Sequence, residues 1–386
     1  MSIYDVAIVG AGVHGASAAM HLAERGVSTV VLEKATPASG PTGRSSAVLR
    51  GYYVNEFLAT ATRESVELFR NFTEWTHGGE ARYVPCGALF LHAAEDGPKL
   101  HTVAARLNEL GTKTEVLSFD QLAREFPMFD LDGIEWGAWE PIAGHADPAG
   151  TTNGMLNRAI QLGTDLRRMT TVTGISRRPS RTFALTTASG DVIEAGAVLL
   201  AAGPWSAGLL GLIGVELPLW AERHIIATYG WGDAVEVPFV WASIPDGIYF
   251  KPELHAQYLV GTLWEEDHVD PDDFDQELAP AEQLRITMAT VGRLPNLEES
   301  EAFSGYAALY DVAPDWQPVA GAVDDGIFII AGTAGHGFKW APAMGGHLAD
   351  LITGGAVDPG LAQFSPDRFS RGQQLDAGYG AAKILG

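Results

Sequence analysis

The chain has one cysteine, Cys86, in 386 residues. That excludes an intrachain disulfide, and any zinc or iron–sulfur centre built on cysteines. No metal site is expected, and a lone thiol of this kind reads as a small buried apolar residue. Basic residues are scarce too. Lys and Arg number 25 against 48 Asp and Glu, for a formal charge of −23. The lack of a basic footprint argues against nucleic-acid binding and against attachment to anionic membranes. No apolar run approaches the ~18 residues that cross a bilayer. No basic segment precedes the first apolar stretch, so the N-terminus does not read as a secretory signal. A cytoplasmic placement is the expectation. Hydrophobic residues make up 46% and charged residues 19%, so the chain is globular, and its length suits about two domains.

What is present is concentrated at the start. Ile3 to Val9 reads as a buried strand, followed by Gly10-Ala11-Gly12-Val13-His14-Gly15. Apolar residues then recur at helical spacing through Ala16, Ala19, Met20, Leu22 and Ala23. Gly26 stops that helix, and a second strand, Ser28 to Leu32, ends on Glu33. Strand, Gly-x-Gly-x-x-Gly, helix, strand and acid together make a dinucleotide-binding βαβ unit. Gly10 allows the tight turn, Gly12 lets backbone approach a pyrophosphate, and Gly15 lets helix pack on strand. The helix N-terminus favours phosphate charge. Glu33 can accept from ribose hydroxyls and would repel a 2′-phosphate, which disfavours NADP. The motif alone does not separate FAD from NAD.

Lys34 to Ser46 is rich in Gly, Ser, Thr and Pro, and reads as a loop after a strand's carboxyl end. A helix is expected from about Asn55 to Trp75. From Ala81 the texture changes to short strands (Gly87 to Leu91), a helix near Leu100 to Leu110, and Trp136 and Trp139. Asp147-Pro148 opens a helix running to about Leu162. Gly196 to Ala202 is a buried strand ending at Gly203-Pro204-Trp205-Ser206. Alternating patterns follow at His224 to Tyr229, Gly247 to Phe250 and Tyr258 to Thr262. The acidic stretch Asp267 to Asp275 reads as solvated surface. Ile327 to Ala331 is a last buried strand, then a glycine turn, Gly332 to Lys339, and a helix from Ala341 to Ile352 with Pro342 in its first turn. The fold class is α/β, α+β overall. One Rossmann-like domain is built from discontinuous segments (1–80, 144–216 and 318–386), and a second domain (81–143 and 217–317) carries a large mixed β-sheet.

Three features together resemble the D-amino-acid oxidase superfamily, nearest its sarcosine oxidase, sarcosine oxidase β-subunit and glycine oxidase branch. They are the Gly10 to Gly15 unit with Glu33, the segment Leu199 to Ser206, and the pair Tyr310-Asp311-Val312-Ala313-Pro314-Asp315-Trp316-Gln317-Pro318 and Gly335-His336-Gly337-Phe338-Lys339. NAD dehydrogenases do not resemble the last pair, so the likeness implies FAD. It implies cofactor contacts at Gly10, Gly12, Val13, His14, Gly15, Glu33, Lys34, Arg44, Ser45, Ser46 and Val172. It implies others at Ala202, Gly203, Trp205, Gly332, Gly335, His336, Gly337, Phe338 and Lys339. His14 fills a variable position of the motif, where packing is the simpler role. The turn Gly332 to Gly337 and the helix after it are expected to bring backbone N–H groups to the flavin, where they would stabilise the charge of its reduced form.

The reaction implied is oxidation of a C–N bond of a small amine or amino acid. A hydride passes from the carbon beside a neutral amine to flavin N5, and the imine hydrolyses. A secondary or N-methyl amino acid such as sarcosine is the expected substrate, with glycine or a D-amino acid as the alternative. Lys339 and Arg50 match residues that hold the substrate carboxylate. His336 and Tyr249 are the other catalytic candidates. Trp241, Trp264 and Tyr310 are candidates, with Tyr249, for walls of an amine pocket. Two departures stand out. Ala307-Ala308-Leu309-Tyr310 lacks the cysteine that bonds FAD in monomeric sarcosine oxidase, so noncovalent FAD is expected. Gln257 to Gly261 lacks that enzyme's oxygen-activating lysine, and Lys251 stands at a different offset. Oxygen or another electron acceptor therefore remains open, as does a flavin subunit of a hetero-oligomer, or a homo-oligomer.

Overall fold

Tyr4–Val9 is buried from Val6 onward and lies in the middle of a parallel sheet. The computed structural model describes residues 3–253, 255–376 and 378–379. Thr29–Leu32 flanks the first strand on one side and Val192–Leu200 on the other, with Val9 opposite both Leu32 and Leu200. Asp165–Arg167 and Ile327–Ala331 extend the parallel set outward. Val172–Arg177, Phe183–Thr187 and Val319–Asp324 add antiparallel strands, eight in all among the described residues. The central runs Val6–Val9, Val30–Leu32 and Val198–Leu200 are covered on both faces, and they are apolar throughout for that reason. Val6 and Ile8 face one core, while Ala7 and Val9 face another.

Helices Val13–Glu24, Pro148–Gln161 and Ala341–Thr353 contribute to the first core. Asp147 caps the second helix by accepting from Gly150 N at 2.9 Å, with Pro148 in its first turn, as the sequence predicts. The first and third helices pack closely. A Cβ on Gly345 would stand 2.1 Å from Ser17 Oγ, which itself donates to Pro342 O at 3.1 Å. The helix expected from Asn55 to Trp75 is broken at Asn71 into Glu56–Arg70 and Phe72–Trp75.

A second sheet, of nine strands among the described residues, holds Ala88–His92, Glu115–Ser118, Trp136–Glu140 and the strands between Trp220 and Val312. It is mixed: Val240–Ser243 runs parallel to Ala88–His92, and the other pairings are antiparallel. Its residues alternate between two cores, as a pleat requires. Ala88, Phe90 and Ala242 join the first core. Leu89, Trp241 and Phe250 join another core with Ile286 of the helix Pro280–Arg293. Cys86 is half-buried against the first core, not fully buried as its type suggests, because it precedes the strand rather than lying in it.

The conspicuous Asp315-Trp316-Gln317 run closes the fold. Arg368 Nε and Nη2 donate to the two oxygens of Asp315 at 2.9 Å, and Nη2 also reaches Gln317 O at 2.9 Å. Both side chains are buried, so this bidentate pair fastens the C-terminal segment to the turn before Val319–Asp324. No helix among the described residues is long and apolar enough to cross a membrane.

Candidate functional site

A cavity of about 860 Å³ is walled by residues of both sheets. The glycine turn enters its wall through Gly10, Gly12, Val13 and His14. Gly10 has φ +108°, and a Cβ there would lie 2.4 Å from Ala201 O. Gly15 is not on the wall. A Cβ on it would strike Gly10 O at 2.0 Å, so it serves helix packing. Glu33 is on the wall, with its carboxylate already gripping the turn: it accepts from Ala11 N and Ala35 N, each at 2.8 Å. Val13 N donates to Thr42 Oγ1 at 3.2 Å.

Lys34, Val172, Ala202, Gly203 and Trp205 are also on the wall. The Lys34 ammonium stands 3.6 Å over the Trp205 ring. Asp272 accepts from Lys34 Nζ at 2.9 Å and from Trp205 Nε1 at 2.8 Å. The acidic stretch is mostly exposed, as its sequence suggests, and through Asp272 it also ties the mixed sheet to the loops of the nucleotide-type sheet. Lys34, then Trp205, hold the Asp272 carboxyl below its usual range. Arg44, Ser45 and Ser46 line the cavity as well, and Arg44 spans to the other sheet through Ala307 O at 2.8 Å and Gln276 Oε1.

Tyr249, Tyr310, Gly335, Gly337 and Phe338 come to the same wall. Burial raises the pKa of Tyr249, and the neighbouring Ser46 and Tyr310 oppose that rise. Gly261 makes room for the tyrosine, since a Cβ there would lie 2.3 Å from Tyr249 Cζ. Trp241 and Trp264 belong to the opposite face, where Trp241 packs on Phe250 and Trp264 lies 4.2 Å from the Arg285 guanidinium. Trp241 is core and Trp264 packs at its edge, and only the tyrosines of these four aromatics reach the cavity.

Arg50, Lys339 and His336 are brought together, but behind that wall rather than on it. Both cations stand near Tyr53: the Arg50 guanidinium is 4.3 Å and Lys339 Nζ 6.0 Å from its ring centre. Lys339 Nζ donates to His336 O at 3.2 Å. Burial, then the Arg50 charge, hold the lysine well below its ordinary pKa. His336 Nε2 lies 3.2 Å from Trp316 O, so it carries the proton, and Nδ1 accepts from Tyr53 Oη at 3.1 Å. Burial, then Lys339 and Arg50, keep that ring neutral. Gly332 is also off the wall: φ is +63°, and Ala313, Leu219 and Val319 pack around it.

Four further residues escape the sequence reading. His224 lines the cavity, stacks on Tyr310 at 3.7 Å, and places Nε2 3.2 Å from Glu222 Oε2. Asp311 accepts from Thr333 Oγ1 at 2.7 Å, and burial raises its pKa. Asp272 makes the tie to Lys34 and Trp205. Glu140 is 1% exposed and accepts from Gly51 N and Tyr52 N. Cross-strand register, not local spacing, brings His224 to Tyr310, and nothing in the sequence announces it.

The site fits FAD by its chemistry. It offers a glycine cradle and an acid at the end of the second strand. It also has buried polar atoms without a protein partner: both His14 ring nitrogens and Asp311 Oδ2. Burial pushes His14 down to about 3, so it meets a ligand as a neutral ring. A dinucleotide turn in a mainly parallel sheet, opposed by a large mixed sheet across one cavity, is the architecture of an enzyme that works with a bound dinucleotide cofactor.

The profile of the DAO family of FAD-dependent oxidoreductases matches residues 5–351. The chain belongs to that family and is an FAD-dependent oxidoreductase. It is 26% identical to human peroxisomal sarcosine oxidase, covering 95% of this chain and 96% of that one. It is 25% identical to rat mitochondrial dimethylglycine dehydrogenase, covering 95% of this chain but only 45% of that one. The crystal structure of L-proline dehydrogenase from P. horikoshii superposes with a TM-score of 0.87 at 24% identity, covering 97% of this chain and 100% of that one, which shows the fold.

Proposed function

We propose that this enzyme oxidises the C–N bond of a small carboxylated amine, with a secondary or N-methylated amino acid favoured over glycine or a D-amino acid. The observation that carries this reading is the burial of two cations, Arg50 and Lys339, both close to the Tyr53 ring and beside the turn that lines the cavity. Buried charges are retained where a partner neutralises them. A substrate carboxylate suits the pair, and arginine can hold it with two hydrogen bonds. The same positive field disfavours a protonated amine nearby, and so selects the neutral amine that the chemistry needs. Tyr249 and Tyr310 would wall the amine. FAD, when bound, supplies the two-electron acceptor. The names of the sarcosine oxidase and dimethylglycine dehydrogenase relatives point to the same substrate class. Anaerobic reduction of the bound flavin by an N-methylated amino acid tests the reading.

The remaining site residues are part of the same proposal. Gly10, Gly12, Val13, His14, Glu33, Lys34, Arg44, Ser45, Ser46, Val172, Ala202, Gly203, Trp205, Gly335, Gly337 and Phe338 would contact the cofactor. Their place on one wall supports this. Gly15 would act by helix packing, and Gly332, His336 and Lys339 from behind the wall. The division of strands between two sheets supports domain boundaries at 1–80, 144–216 and 318–386 for the FAD domain, and 81–143 and 217–317 for the other. FAD is held without a covalent bond on this reading, since Ala308 stands on the wall with an inert methyl. After acid precipitation the flavin should stay in the supernatant. A yellow pellet would refute this.

A second reading concerns the electron acceptor. Lys251 lies directly across the strand pair from Leu259, at the centre of the stretch that lacks the lysine. It is buried, but its ammonium is engaged by Glu253 and is not on the cavity wall. This favours a dehydrogenase, or a flavin subunit passing electrons to a partner or another acceptor. Reoxidation of the reduced enzyme by oxygen in a rapid-mixing experiment should be slow. Fast reoxidation would restore the oxidase reading.

A further inference from the structure

Glu140 ends the strand Trp136–Glu140 of the mixed sheet, and Arg50 follows Val48–Leu49 far away in sequence. The two meet in the interior. One Glu140 oxygen accepts from Gly51 N at 2.7 Å, and the other accepts from Gly51 N at 3.0 Å and Tyr52 N at 3.2 Å. The residue after Arg50 has to be small here, because a Cβ on Gly51 would come within 2.8 Å of Glu140 Oε1. The Arg50 guanidinium curls back over the same turn, with Nη1 donating to Tyr52 O. Its plane meets the Tyr53 ring at 4.3 Å. The carboxylate therefore clamps the two peptide groups that set where Arg50 points.

A carboxylate this deep is costly without compensation. Burial pushes the Glu140 acid up to about 7, opposed by the Gly51 N–H and then by the Arg50 charge. Arg50 in turn is sustained against its own burial by Tyr53 and Glu140. What the geometry asks of the group is two acceptor oxygens, one on Gly51 N and the other shared by Gly51 N and Tyr52 N.

We propose that Glu140 is the positioning residue of the carboxylate subsite: it fixes the turn Arg50–Tyr52 and so sets where the Arg50 guanidinium stands to meet the substrate carboxylate. This rests on the reading of Arg50 and Lys339 as the substrate's carboxylate partners. Glu140 touches neither substrate nor cofactor. It acts through the arginine, so its loss should appear in anion affinity and in KM rather than in kcat.

The test uses holoenzyme, with acetate as a probe anion followed by the change it causes in the visible flavin band. Wild type should bind acetate, and Lys339→Met should bind it far more weakly. Glu140→Gln keeps the size but loses the charge and one acceptor oxygen. It should weaken acetate about tenfold or more and raise KM for a carboxylated amine similarly, with kcat within about threefold. Glu140→Asp, which keeps both acceptor oxygens on a shorter side chain, should recover part of the affinity. If Glu140→Gln fails to retain FAD, Glu140→Asp decides, with weakened acetate binding supporting the proposal and wild-type binding overturning it. Wild-type acetate affinity in Glu140→Gln, with Lys339→Met impaired, overturns the role of Glu140 alone. Wild-type affinity in Lys339→Met overturns the carboxylate reading itself.

Discussion

Replacing Lys339 by Met should raise KM for a carboxylated amine about 100-fold and leave oxidation of an amine without a carboxylate unchanged. The lysine is buried, with Arg50 close enough to depress its pKa. A charge-assisted hydrogen bond there contributes about 1.5–3 kcal/mol net, and each 1.4 kcal/mol is a factor of ten. The carboxylate does not react, so its binding is equal in ground and transition states, and its loss raises KM more than it lowers kcat.

The pH dependence has a defined sign. Lys339 has its folded pKa lowered, by burial first and by Arg50 second. It holds the carboxylate while protonated, so kcat/KM falls as pH rises through that lowered value, well before an ordinary lysine would titrate. Lys339→Arg should displace this fall to higher pH, because a guanidinium keeps its proton. Lys339→Met should have no such limb. A Lys339→Met enzyme with unchanged KM would remove the lysine from substrate binding.

Gly15→Ala should give a protein without FAD. One methyl is added, yet it would stand 2.0 Å from the Gly10 carbonyl oxygen, against a backbone that cannot rotate away. The helix Val13–Glu24 must then move off its strand, and the N–H groups at its start move with it. Overpacking of this kind costs about 1–3 kcal/mol in an ordinary core. Here it also dismantles the cradle held by Glu33 on Ala11 N and Ala35 N. The ratio of flavin to protein absorbance measures the effect. Full occupancy in Gly15→Ala would show that the helix tolerates displacement.

Much of this architecture is legible in the chain. The βαβ unit, the helix opened by Asp147-Pro148 and the last strand, turn and helix are local patterns, set by glycine, proline and unbroken apolar runs. They appear where the sequence places them. The aromatics of the second sheet were less legible. Both of its faces are covered, so apolar character does not distinguish Trp241, in the outer core, from Tyr249, on the cavity. His224 depends on register with Tyr310, and Glu140 on a contact with a turn far away in sequence. Asp272 looks like any solvated acid until Lys34 and Trp205 stand beside it. Residues whose role is electrostatic partnership over long sequence separation carry no periodic or motif signal.

The measurement that bears most directly on the central claim is anaerobic titration of the purified flavoprotein with an N-methylated amino acid, and in parallel with the same amine lacking its carboxylate. We expect the visible flavin band to bleach at low concentrations of the amino acid, and only at far higher concentrations of the decarboxylated amine. Equal bleaching by both would contradict the roles of Arg50 and Lys339. No bleaching by any amine would contradict C–N oxidation.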